Sequence, residues 1–114
     1  MEKQEYKELV YDAIVAEAGD ERARSLSQTA ADLRDEMQVR IVEFDFYKKD
    51  GTVRHAFGTI DPERLPKTEN AGEQKPKKEY TPNWANFRYF DTEKMSWRSF
   101  NIVNLISYQK LKTE

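Results

Sequence analysis

Val39-Arg40-Ile41-Val42-Glu43-Phe44-Asp45-Phe46-Tyr47-Lys48-Lys49-Asp50-Gly51-Thr52-Val53-Arg54-His55-Ala56-Phe57-Gly58-Thr59-Ile60 decides the fold. Val42, Phe44 and Phe46 alternate with Glu43, Asp45 and Tyr47, the period of a strand with one buried face. Asp50-Gly51 is a hairpin turn signal, because glycine accepts the positive φ that tight turns need. Residues 52–60 return as the partner strand. A second hairpin reads over residues 86–91 and 97–102, with Phe90, Phe100 and Ile102 as core candidates. Leu105, Ile106 and Tyr108 continue into a helical turn or a last strand. The two hairpins predict a small antiparallel β-barrel.

Helices precede it. Over residues 3–18, Tyr6, Leu9, Val10, Ala13 and Ile14 fall on one apolar stripe. Gly19 is placed as the C-cap of that helix and Asp20 as the N-cap of the next. The second helix covers about 21–37, where Ala23, Leu26, Ala30, Leu33 and Met37 form a heptad-like seam. That seam either packs on the chain's own barrel and first helix or makes a homodimer through Leu26, Leu33 and Met37. The division expected is a helical arm over 1–37 and a barrel over 38–114, an α+β chain. Between the hairpins, 62–83 is a polar connection holding all four prolines, which excludes it from a sheet interior. It reads either as a solvated linker or as a functional loop.

Charge divides along the same line. Residues 1–37 carry 5 basic and 10 acidic side chains, and residues 38–114 carry 14 and 11, so −5 and +3 within the net −2. There is no cysteine, which removes disulfides, thiolate metal sites and cysteine nucleophiles. No stretch reaches the ~20 apolar residues that span a bilayer, and Met1-Glu2-Lys3-Gln4-Glu5 lacks the order of a signal peptide. A cytoplasmic protein without a membrane partner is the expectation.

The chemistry of catalysis is not assembled in this sequence. The single histidine, His55, cannot make a zinc set alone. The strand carboxylates Glu43 and Asp45 read as outward residues or as ladder partners of Arg54 and Arg40. The four glycines are scattered, so no phosphate-cradling loop is formed, and there is no nucleophile elbow. The reading is a non-enzyme with no cofactor and no metal. What remains is basic and aromatic residues interleaved on strands: Arg88 beside Tyr89, Trp97 beside Arg98, Tyr47 beside Lys48 and Lys49. Bases stack on aromatic faces while Arg and Lys follow phosphates. The competing reading is that Tyr89 and Trp97 cover the barrel for packing reasons.

The run from Phe44 to Arg54, with Ala56-Phe57-Gly58-Thr59, Phe87-Arg88-Tyr89-Phe90-Asp91 and Trp97-Arg98-Ser99-Phe100, resembles the small single-domain WYL-like proteins of bacteria and phages. The resemblance covers roughly residues 38–108. It implies a strongly bent, five-stranded Sm-like, SH3-type β-barrel. In larger members the barrel serves as a regulatory sensor or nucleic-acid-binding module. Arg54 and Arg98 fall on pattern positions, whereas the naming Trp-Tyr-Leu triplet is absent and Asn104 stands where a basic residue is common. The ligand-binding set expected is therefore Arg54, Arg98, Arg88 and Lys49 for phosphates, with Tyr89 and Trp97 for stacking. The ligand class expected is single-stranded nucleic acid or a nucleotide-like molecule, in a regulatory role. The alternative is a protein-interaction module of phage or mobile-element origin, acting on a host protein through the acidic helices and the Pro-containing loop.

Overall fold

A computed structural model describes residues 2–65 and 83–110, with the side chains of the last two left aside. The connection read over 62–83 therefore lies, from 66 to 82, outside the described residues. Helix α1 spans Lys3–Ala18 and α2 spans Asp20–Met37. Gly19, at φ 89°, closes α1 through its N–H to the Val15 carbonyl and is also the N-cap of α2. The sequence reading had Asp20 as that cap. Asp20 is instead the first helical residue, and its carboxylate takes the Tyr11 hydroxyl and the Arg24 guanidinium.

Five strands follow: β1 Val42–Tyr47, β2 Val53–Thr59, β3 Asn86–Asp91, β4 Ser96–Asn101 and β5 Leu105–Lys110. A 3-10 turn, Ile102–Asn104, joins β4 to β5, so Leu105, Ile106 and Tyr108 take the strand alternative, while Ile102, read as the end of β4, belongs to the turn. The strand order is β4-β3-β2-β1-β5. Among the described residues no ladder joins β4 to β5, so the sheet is bent and antiparallel but not closed. Two features let it bend: a register shift on β1 between Asp45 and Phe46 opposite β5, and a β2–β3 ladder of only Gly58↔Asp91 and Thr59↔Phe90. In the first turn Gly51 takes φ 90°, and Asp50 Oδ1 accepts the Thr52 N–H at 3.0 Å.

Alternation on β1 is as read: Val42, Phe44 and Phe46 are buried and Tyr47 is exposed. Their inner face meets Ala56, Phe87, Tyr89 and Phe100. Phe46 stacks on Phe100 at 4.7 Å, and Phe44 meets Tyr89 edge-on at 4.9 Å. The helices join this core directly. Val10, Ile14, Ala23, Ala30, Leu33 and Met37 belong to the same buried cluster. The Ile60 N–H and the Thr59 hydroxyl both bond to the Met37 carbonyl, at 3.0 Å each. Arg22 donates to the Val103 carbonyl. The core thus crosses the division read at 37/38 without a break.

That packing corrects one site expectation. Leu26, Leu33 and Met37 are 8, 0 and 0 % exposed within the single chain, so they have almost no surface to offer a second copy. The heptad-like spacing reports intramolecular packing of α2 on α1 and the sheet. Among the described residues no helix is long and apolar enough to cross a membrane.

Candidate functional site

The helices are tied to the Val42–Thr59 end of the sheet; at the other end, a cleft opens beside Phe46 and Arg54. Successive strand residues face opposite sides, so Arg54 follows Ala56 and Gly58 onto the inner face, and Arg98 follows Phe100. The register pairs Phe46 with Arg54 and Tyr89 with Arg98. The resulting cleft has a volume of about 480 Å³. Phe46, Tyr89 and Phe100 line it along with Lys48, Lys49, Arg54 and Arg98, and no carboxylate is among its lining residues. Asn101 and Asn104 complete the rim. Asn101 Oδ1 accepts the Val103 N–H at 2.9 Å, which leaves its amide hydrogens for other partners.

Asp91 sits behind the cleft, holds the Arg54 guanidinium and lies near that of Arg98. Its side chain is 0 % exposed. Oδ2 accepts Arg54 Nη2 at 2.7 Å and lies 3.9 Å from Arg98 Nε. Oδ1 accepts the Glu93 and Lys94 N–H groups at 2.9 and 3.0 Å, closing the β3–β4 turn. One buried carboxylate between two guanidiniums leaves an excess positive charge, to which Lys48 and Lys49 add. Among the described residues neither lysine has a carboxylate within salt-bridge distance. Arg54 Nε is buried without a hydrogen-bond partner, so that guanidinium is not fully satisfied by the protein.

The sequence-predicted residues separate into two groups. Lys49, Arg54, Arg98 and Tyr89 meet in the cleft. Arg88 and Trp97 lie on the opposite face of the β3–β4 hairpin, because each is one strand position from Tyr89 or Arg98. There the Arg88 guanidinium covers the Trp97 ring at 4.4 Å, and Phe90 meets it edge-on. Tyr89 does not have the role expected. It is 1 % exposed and packed against Gly58 and Phe44, so no base can lie on its ring. Burial pushes its phenol above the ordinary value, Asp91 adds to this, and Arg54 and Arg98 oppose it. Lys48, Asn101 and Asn104 also line the cleft; Lys48 and Asn104 were noted in the sequence but not placed in the ligand-binding set, and Asn101 was not noted.

Glu43 and Asp45 face outward, as one of the two readings had it, but are not ladder partners of the arginines. Both face His55 rather than Arg54 or Arg40: His55 Nδ1 is 2.5 Å from Asp45 and Nε2 is 2.6 Å from Glu43. The Asp45 hydrogen bond is the main cause of a raised His55 pKa, opposed by desolvation and supported by Glu43. Both ring nitrogens are thereby engaged. Among the described residues no group of three His, Cys, Asp or Glu side chains is placed to hold a metal ion.

A family model described as WYL_2, Sm-like SH3 beta-barrel fold, matches residues 30–106. The chain belongs to the WYL_2 family. The match begins within α2, so part of the helical hairpin falls inside the WYL_2 unit along with the sheet. No curated protein and no solved structure matches the chain.

Proposed function

We propose that this WYL_2 protein is a non-enzymatic binding module with a regulatory role, and that it seats single-stranded nucleic acid or a nucleotide-like polyanion in the Arg54–Arg98 cleft. The observation that carries this reading is the lining: four cationic side chains, no carboxylate, and a buried Asp91 that orients Arg54. Pre-positioned guanidiniums bind phosphate with little ordering cost, and Arg is matched to phosphate geometry. The aromatic floor of Phe46 and Phe100 supplies apolar contact beneath them.

Fluorescence anisotropy with labelled single-stranded RNA, single-stranded DNA and duplex DNA tests it. If three or four phosphates are held, log K should fall against log salt with a slope of roughly −2 to −3, about 20- to 50-fold weaker from 50 to 200 mM. Lys48→Ala with Lys49→Ala, at the exposed hairpin tip, removes charge without disturbing the core and should reduce that slope by about 1.4. Absence of binding by the wild type at low salt, or an unchanged slope in the double variant, would overturn the assignment.

A further inference from the structure

A second depression opens on the other side of β3, between the helices and the sheet. It measures about 190 Å³ and is lined by Tyr6, Arg34, Trp84, Asn86 and Arg88 among others, again with no carboxylate. Asn86 also lines the cleft described above, so the two depressions meet at the start of β3.

The two arginines here combine a ring contact with the lack of a carboxylate partner among the described residues; Arg22 instead donates to the Val103 carbonyl, and Arg24, over the Tyr11 ring, is paired with Asp20. Arg24, Arg40, Arg54 and Arg64 each have a carboxylate partner. Arg34 and Arg88 have none among the described residues and rest on aromatic rings. Arg34 lies 4.6 Å over Tyr6, and Arg88 lies 4.4 Å over Trp97. Tyr6 is in turn fixed by Trp84, edge-on at 6.1 Å, and burial pushes its phenol up to about 12. The acidic neighbours of Arg34 on α2 are engaged elsewhere: Lys3 takes Asp32 and Asp35, and Arg40 takes Glu36. Two ring-supported guanidiniums therefore keep their charge uncompensated beside the half-buried Trp84. That combination suits a phosphate with its attached base.

We propose that the groove extends the cleft, and that the two form one track around β3 for a single strand of several nucleotides rather than for a lone nucleotide. This rests on the cleft being an anion site. Cations then stand on both sides of Asn86, with Lys48, Lys49, Arg54 and Arg98 on one side and Arg34 and Arg88 on the other.

The test is anisotropy on the full chain with a thymidine dinucleotide and a twelve-nucleotide oligothymidylate over a salt series. Arg34→Gln with Arg88→Gln should weaken the long strand about 10-fold, lower its salt slope by about 1.4, and leave the dinucleotide unchanged. Lys48→Ala with Lys49→Ala should weaken both. Arg88→Gln alone, at an exposed position, should lower the long-strand slope by about 0.7 and guards against misfolding of the double variant. If the groove variants leave the long strand unaffected while the cleft variant weakens it, the track is wrong and the cleft reading stands. If the wild type binds neither oligonucleotide at low salt, both fail.

Discussion

Replacing Asp91 by Ala is the sharpest perturbation of the cleft. The carboxylate is 0 % exposed, accepts from three donors, Arg54 Nη2 at 2.7 Å and the Glu93 and Lys94 N–H groups, and lies 3.9 Å from Arg98 Nε. Breaking a buried ion pair from one side costs about 3–5 kcal/mol, because the surviving charge stays in place without its partner. Arg54 is 21 % exposed, so it recovers only part of its hydration. For a chain of this length roughly 4 °C of Tm corresponds to each kcal/mol, which predicts a drop of about 12–20 °C. Arg98→Ala is the control. Its Nε is 3.9 Å from Asp91 and its side chain 45 % exposed, so its loss should cost no more than about 1 kcal/mol. Thermal and urea unfolding followed by circular dichroism measure both. A loss under about 1 kcal/mol for Asp91→Ala, or equal losses in the two variants, would refute the view that Asp91 is the buried anchor of both the turn and the cleft.

Three further outcomes follow from the packing and the charges. Gly58→Ala places a Cβ 2.4 Å from Tyr89 Cδ2, a ring atom in a filled core, and should cost about 1–3 kcal/mol in urea unfolding; a neutral result would show that Tyr89 can move aside. Leu33→Ala should cost about 2–5 kcal/mol and leave the mass by light scattering unchanged, whereas a change in mass at wild-type stability would restore the dimer seam. His55, the chain's one histidine, has a folded pKa raised above the unfolded value of about 6.5, chiefly by Asp45. Its stabilising contribution is then fully present below about pH 6.5 and is lost as pH rises through the folded pKa. An NMR titration of the His55 ring should give a midpoint above 6.5, and a midpoint at or below it would contradict the Asp45 and Glu43 contacts.

The β1–β2 hairpin was legible because period-two alternation and Asp50-Gly51 agree, and the bent sheet followed from two such hairpins in order. The pairing of Asp45 with His55 was legible too, since both stand five residues from Asp50, but reading Arg54 as the carboxylates' partner slipped the register by one residue. The same parity explains the mixed fate of the site. Arg88 beside Tyr89 and Trp97 beside Arg98 look like clusters in sequence, yet adjacent strand residues cannot share a face. Tyr89 follows Phe87 inward and is buried, while Arg98 follows Phe100 to the cleft. What parity cannot supply is the third dimension. Nothing local marks Asn101, or Asp91 as the counterion of Arg54 across 37 residues, because a bend in the sheet brings them together. The α2 seam shows the same limit: spacing reveals an apolar stripe, not whether its partner lies in the same chain.

Mapping a short single-stranded oligonucleotide by amide chemical shifts on the full chain tests the central claim most directly. Salt-sensitive shifts should be concentrated at Lys48, Lys49, Arg54, Arg98, Asn101 and Asn104, with little change on the outer face of α1. Shifts confined to the helices, or none at low salt, would contradict it.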